Sequence, residues 1–263
     1  MSQSSMEPIL FEIKNNVGVI TLNRPEKSHS FNREMALQLQ KVLDDCAANS
    51  SVRAIYLTAT GKAFCAGQDL SEVAGKKPEA LKNIVVEHYN PMIMKLRTID
   101  KPVVCAVNGV AAGAGANIAL ACDIVVATAS ASFIQAFSKI GLIPDSGGTY
   151  ILPRLIGMQK ATALMMLGDK VSAADAEKLG MIYKVFADEE FAEASMKLAT
   201  TLAQMPTKAL GYTKQALNAS MNNTLEEQLA LEEKLQYTCG QTHDYNEGVN
   251  AFLEKRIPVF KGE

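Results

Sequence analysis

A chain of 263 residues with 48% apolar residues and a net charge of -2 can build one large or two small cores. It offers no excess of positive charge to a nucleic acid or a membrane surface. Five cysteines without a CxxC pair, and three histidines without a neighbouring ligand at metal spacing, argue against a disulfide framework and a His-based metal site.

The start, MSQSSMEPIL, has no basic stretch leading into an apolar core, and Gly, Asn and Asp interrupt the longer apolar runs. The expectation is a cytoplasmic globular protein without a membrane span. Ile9 to Ile13 and Val17 to Leu22 are apolar, β-rich runs joined by Lys14-Asn15-Asn16, which reads as an opening hairpin. Met35, Leu39, Val42, Leu43 and Cys46 then fall at helical spacing behind Asn32, a residue type that caps helix N-termini. Val52 to Leu57, Lys101 to Val107 and Ile124 to Ala127 predict three more strands, and their alternation with helices points to an α/β core.

The interval 71–100 is lysine-rich at first and helical later (Leu81, Ile84, Val85, His88), predicting a mobile flap that leads into a helix. Beyond Gly148 the pattern turns helical: Ile156 to Leu167, Ala173 to Leu179 stopped by Gly180, Glu189 to Ala203, and Lys208 to Ser220 after Pro206. A short strand from Ile182 to Phe186 interrupts it. Thr224-Leu-Glu-Glu227 has the capping-box pattern, heading a helix that reaches about Cys239.

The chemistry is expected between Lys101 and Thr149. The run Val103-Val104 to Val107 reads as a buried strand, and the small residues from Gly109 to Ala116 precede an apolar helical pattern from Ile118 to Cys122. Small side chains let a ligand approach the main chain, and unpaired N–H groups at a helix start suit a developing negative charge. FCAGQDL, residues 64–70, repeats the arrangement after another expected strand. A packing turn has the same composition, but two such loops in one α/β layer can converge two backbone donors on one oxygen. Neither loop is GxGxxG or GxxxxGK[ST], and Ser146 lies outside any GxSxG elbow, so nucleotide-binding and serine-hydrolase sites do not fit. Downstream, GLIPDSGGTY places one carboxylate, Asp145, between an apolar run and Gly147-Gly148. A helix cap would account for DSGG equally well.

LNRPEKSHSFN, FCAGQDL, KPVVCAVNGVAAGAGANIALACDI, GLIPDSGGTY and EGVNAFLEKRIPVF occur in this order, and through them the chain resembles the crotonase (enoyl-CoA hydratase/isomerase) superfamily over almost its whole length. The resemblance implies an α/β fold built as a spiral of ββα units, with a C-terminal helical trimerisation region. On that basis residues 1–200 form the core with the active site and 201–263 the oligomerisation region, giving a homotrimer or a dimer of trimers. It implies acyl-CoA substrates, CoA being part of the substrate, with no separate cofactor, metal, nucleic acid or membrane partner. Carried over by motif position, the thioester oxygen accepts from the backbone N–H groups of Gln68 and Ala114. Each such donor is worth about 3 to 4 kcal/mol in a transition state. CoA contacts map to Lys27 near the phosphates, to the backbone of Ala66, Gly67, Gln68, Asp69 and Leu70, and to Gly113. Phe252 and Lys255 match residues that reach the CoA of a neighbouring subunit. The two lysines read equally as solvated surface.

Hydratases that the chain resembles hold water with two glutamates, and the matching positions here are Asn117 and Phe137. With both acids absent, water addition by the usual route loses its support. Asp145 matches an acid of isomerase branches. AFSKIGLIPDSGGTY, NPMIMKL at 90–96 and AGQDL together resemble the branch that isomerises ring-epoxide CoA thioesters in phenylacetate breakdown and shifts β,γ double bonds to α,β. Asp145 is then a single acid/base, and an apolar pocket would raise its pKa. Met92, Met94 and Phe137 are expected to shape the acyl pocket. Asp123 reads as structural, and Glu34 or Glu87 becomes a second carboxylate only if the fold turns it inward. An enoyl-CoA hydratase with a rearranged site and a non-catalytic binding protein on the same fold are the alternatives. Bare small-residue loops argue against the latter.

Overall fold

The computed structural model describes residues 7–74 and 78–263. The first residues of the start read above, and the lysines Lys76 and Lys77 of the expected flap, lie outside the described residues.

β1 (Ile9–Lys14) and β2 (Val17–Leu22) form the expected antiparallel hairpin, in register from Ile9 opposite Leu22 to Lys14 opposite Val17. Asn15 (φ 51°) and Asn16 (φ 62°) make its two-residue turn, because asparagine tolerates the positive φ needed at both positions. α1 (Arg33–Ala48) starts where Asn32 accepts a hydrogen bond from the Met35 N–H. β3 (Ala54–Ala59) begins two residues later than expected, since the Val52 N–H still donates back to the Asn49 carbonyl at the helix end. β4 (Ala63–Cys65) follows, then a helical run of α2 (Leu81–Asn83), a π-helical segment (Ile84–Tyr89) and α3 (Asn90–Thr98).

Next come β5 (Val103–Val107), β6 (Val110–Ala112), α4 (Ala114–Leu120), β7 (Ile124–Thr128) and β8 (Ser132–Ile134). The expected glycine loop thus contains a strand, and the helix opens at Ala114, four residues ahead of the Ile118 periodicity. The later elements are α5 (Gly148–Ile156), α6 (Met158–Leu167), β9 (Lys170–Ser172), α7 (Ala173–Lys178), β10 (Lys184–Phe186), α8 (Phe191–Gln204), α9 (Thr207–Ser220), α10 (Leu225–Cys239) and α11 (His243–Glu254). Thr224 and Glu227 complete the capping box of α10.

Two sheets result, in orders β1-β2-β3-β5-β7-β10 and β4-β6-β8-β9. β3, β5 and β7 are parallel neighbours in the first sheet, and β4, β6 and β8 are parallel neighbours in the second. The chain therefore alternates one strand in each sheet and then a helix, three times over, which is a spiral of ββα units. The period-2 alternation divides the first sheet between two cores. Ile55, Leu57, Val103, Cys105, Val125 and Ala127 face the larger core with α1, α3 and α4. Ala54, Tyr56, Val104, Ala106 and Val126 face Phe191, Ala199 and Ala203 of α8. Tyr56 in that second core hydrogen-bonds to Ser195 at 2.8 Å, so its buried hydroxyl is not orphaned.

α9 is pinned to the sheet by Lys214. Its Nζ lies 2.8 Å from Asp123 Oδ2 and also donates to the Leu96 carbonyl, while the same Asp123 oxygen accepts from the Val103 N–H. Asp123 is structural, as its sequence context indicated. Among the described residues no helix is long and apolar enough to cross a membrane.

Candidate active site

Three parallel strands of the second sheet deliver three loops to one place. Gly67-Gln68 follows β4, Gly113-Ala114 follows β6, and Ala136-Phe137 follows β8. The pairing of Cys65 with Ala111 and of Ala112 with Ile134 sets these loops side by side, and the carboxyl ends of parallel strands are where such sheets bind ligands. All six residues line a cavity of about 620 Å³ whose walls are mostly apolar, including Leu70, Val73, Ile84, Val85, Ile140 and Leu142.

Glycine makes the approach possible. Gly67 has φ +88°, and a Cβ there would stand 3.0 Å from the Ala112 carbonyl oxygen and 3.3 Å from the Ala114 nitrogen. Any side chain at 67 would strain the backbone and crowd the Ala114 N–H. A Cβ at Gly115 would overlap Cys65, 2.5 Å from its carbonyl oxygen, so α4 presses directly on the end of β4.

The Phe31 N–H donates to the Gly67 carbonyl and the Asp69 N–H to the Phe31 carbonyl, a bridge that skips Gln68. Among the described residues the N–H groups of Gln68 and Ala114 have no acceptor within the chain. Ala114 is the first residue of α4, where the N–H has no intrahelical partner. The Gln68 side chain is held from two sides: Tyr89 donates its hydroxyl to Oε1 at 2.8 Å, and Nε2 donates to Glu72 at 2.9 Å.

Asp145 lines the same cavity, half-buried, on the segment between β8 and α5. Gly147 occupies the cap position of α5 without any side-chain cap, and the Gly148 N–H donates to the Asp145 carbonyl. The carboxylate is therefore not the helix cap that DSGG allowed. Burial raises its pKa, opposed by a hydrogen bond from the Ser146 hydroxyl at 2.9 Å. Phe137 lines the cavity, whereas Asn117 sits behind it, 1% exposed, donating to the Asp145 carbonyl at 2.9 Å and accepting from Gln135 at 2.8 Å.

Not every expected residue reaches this cavity. Asp69 is buried against Arg24 at 3.0 Å and accepts from Ser71, so its carboxylate braces the loop rather than lining the site. Burial alone would raise this carboxyl, but the bonds from Ser71 and Arg24 outweigh it and hold it below its ordinary value. Lys27, exposed at the end of a short 3-10 turn, is not among the lining residues, nor are Phe252 and Lys255 at the C-terminal end of α11. Met92 is fully buried in the core and Met94 is exposed, so neither shapes the pocket as expected. Glu87 is exposed and pairs with Arg33, and Glu34 is exposed on α1.

Two polar residues that pattern reading passed over, Tyr89 and Glu79, do line the cavity. Tyr89 lay hidden inside an apolar helical pattern. Glu79 belongs to a stretch without periodicity, and accepts from Asn83 at 2.8 Å.

Among the described residues, two backbone N–H groups without an acceptor and two carboxylates, Asp145 and Glu79, in a mostly apolar cavity define an α/β enzyme site suited to a carbonyl compound that gives up a proton. The enoyl-CoA hydratase/isomerase family model matches residues 12–263. The 1,2-epoxyphenylacetyl-CoA isomerase of Escherichia coli is 48% identical over 98% of this chain and 100% of its own length. A Rhodobacter capsulatus protein named "probable enoyl-CoA hydratase" is 43% identical over 98% of this chain and 99% of its own. The crystal structure of an enoyl-CoA hydratase from Bacillus anthracis superposes with a TM-score of 0.93 at 33% identity, covering 97% of this chain and 100% of that one. The chain belongs to the enoyl-CoA hydratase/isomerase, or crotonase, family.

Proposed function

We propose that the chain is an acyl-CoA isomerase of the phenylacetate-pathway type, in which Asp145 carries the proton and the N–H groups of Gln68 and Ala114 hold the thioester oxygen. For a 3-enoyl thioester, the Asp145 carboxylate removes a C2 proton. The electron pair spreads into a dienolate whose charge sits on the thioester oxygen, and the Asp145 carboxylic acid returns the proton at C4. The double bond ends between C2 and C3, with no net change in protons. The 48% identical Escherichia coli relative supports extending the same roles to a ring-epoxide thioester.

The observation that carries this reading is that Asp145 lines the cavity while the two positions matching the hydratase glutamates hold no acid: Phe137 is a hydrocarbon wall and Asn117 has its amide committed to Asp145 and Gln135. An apolar setting that raises a carboxyl suits a base that must also act as an acid near neutral pH. Lys27, the main chain of Ala66 to Leu70, and Gly113 are the proposed contacts of CoA. Steady-state turnover of a 3-enoyl-CoA and an epoxyphenylacetyl-CoA by Asp145→Asn is the test. A fall of about 10²- to 10⁴-fold is expected, and near wild-type turnover on both removes Asp145 from the mechanism.

Glu79 favours a second reading, because it brings another carboxylate to the cavity and a hydratase uses two. Rapid hydration of crotonyl-CoA that Glu79→Gln abolishes, with negligible isomerisation, would establish it in place of the first.

Residues 201–263 are proposed to form a trimer, or a dimer of trimers, in which Phe252 and Lys255 of one subunit approach the CoA of another. Leu225 (76% exposed), Tyr237 (74%) and Phe252 (83%) support this, since an isolated chain would leave them in water. A fully active monomer by light scattering would contradict it.

A further inference from the structure

Asn117 lies one helical turn after Ala114 on α4, and it does not line the cavity. Its carboxamide spans two other segments of the chain. Nδ2 donates to the main-chain carbonyl of Asp145 at 2.9 Å, and Oδ1 accepts from Gln135 Nε2 at 2.8 Å, the residue just before the Ala136-Phe137 wall. The neighbouring chain is shaped around this amide: a Cβ at Gly148 would stand 2.3 Å from Asn117 Nδ2 and 2.7 Å from Cγ, so only glycine lets α5 begin there.

The geometry calls for an amide in particular. The Asp145 carbonyl accepts a second donor beside the Gly148 N–H, and the Gln135 NH₂, on a buried side chain, needs an acceptor that bulk water cannot supply. Aspartate offers no donor, and leucine offers neither group. Gly148 N–H and Asn117 Nδ2 together fill the Asp145 carbonyl, which fixes the peptide from which the carboxylate hangs.

We propose that Asn117 is a positioning residue that ties the helix presenting the Ala114 N–H to the loop presenting Asp145, and so fixes the spacing between the oxygen-binding donor and the base. This rests on the roles given to Ala114 and Asp145 above. A proton-transfer base displaced by about 1 Å can lose about 10²-fold in rate, so the tie acts on turnover more than on binding.

The test is a double-mutant cycle of Asn117→Ala and Asp145→Asn on a 3-enoyl-CoA. Asn117→Ala is expected to lower kcat about 10- to 100-fold with KM changed less than about twofold. In the Asp145→Asn background it should cost almost nothing further, because its only route to the chemistry is already removed. A loss carried over in full into that background, or a KM that rises in step with the fall in kcat, overturns the positioning role. Wild-type turnover by Asp145→Asn alone overturns the reading beneath it, which separates the two failures. Asn117→Asp, of nearly the same shape, provides a second variant. Amide hydrogen exchange in it should be faster at Gly148 while α1 and α3 keep their protection, and unchanged protection at Gly148 would equally refute the tie.

Discussion

Tyr89, whose ring is fully buried, donates its hydroxyl to Gln68 Oε1 across 2.8 Å, and so braces a cavity-lining residue whose main-chain N–H has no acceptor among the described residues. Burial pushes the phenol well above its ordinary pKa, so it stays a neutral donor. Glu72 completes the brace from the other side, and its second oxygen accepts the Arg33 N–H at the head of α1. Tyr89→Phe should cost about 0.5 to 1.5 kcal/mol, the usual net worth of a hydrogen bond, and should lower turnover. Urea unfolding beside a steady-state assay checks both. Unchanged stability and rate would show that the Gln68 side chain needs no brace.

Gly67 and Gly157 share a positive φ but not surroundings. Gly67 has φ +88° and would bring a Cβ to 3.0 Å from a carbonyl oxygen, whereas Gly157 has φ +78° with nothing within 4 Å. Gly157→Ala should cost only the backbone strain of φ 78° with ψ 156°, a region kept almost wholly to glycine, about 1 to 3 kcal/mol, and leave turnover intact. Gly67→Ala should lose more stability and most of its activity, because its methyl crowds the Ala114 N–H. Equal effects in thermal melts and assays would contradict the convergence of the two loops.

Asp145 should weaken the fold it serves. Its pKa is raised in the native state above the ordinary 3.8 by burial, so the folded protein binds more protons than the unfolded chain between that value and the raised one. Stability contributed by this group is therefore lost as pH rises through that window. Asp145→Asn should be more stable than wild type at neutral pH, with the difference vanishing below the ordinary aspartate range. Denaturant unfolding as a function of pH reads this directly, and a variant less stable at pH 7 would reverse the sign.

Lys214→Ala should be among the most damaging changes outside the cavity. It leaves Asp123 buried with only the Val103 N–H and a guanidinium 4.0 Å away at Arg97, and breaking a buried pair costs about 3 to 5 kcal/mol. Chemical denaturation of the purified variant measures it. A cost below about 1 kcal/mol would place this pair with the weak surface bridges.

Much of this was legible in the residues. Two asparagines wrote the first turn, Asn32 wrote the start of α1, and the unbroken apolar runs VVCAV and IVVA wrote buried strands. The second sheet was not legible, because β4, β6, β8 and β9 have three residues each, too few for a period to register. α5 was hidden by Pro153 within it. Asp145 and the two glycine loops could be singled out by composition. The acceptor choices of Asp69 and the inward turn of Tyr89 and Glu79 depend on tertiary contacts from residues 21 to 45 positions away, or on a segment with no pattern at all.

In the proposed reaction one carboxyl group, Asp145, moves a proton between two carbons of an acyl thioester. This transfer is tested most directly by incubating the enzyme with a 3-enoyl-CoA in D₂O and analysing the products by NMR and mass spectrometry. The account predicts a 2-enoyl-CoA, with deuterium entering at C4 to the extent that Asp145 exchanges with solvent before returning its proton, and loss of both the product and the label in Asp145→Asn. A 3-hydroxyacyl-CoA as the main product, or an Asp145→Asn enzyme that isomerises at the wild-type rate, would contradict it.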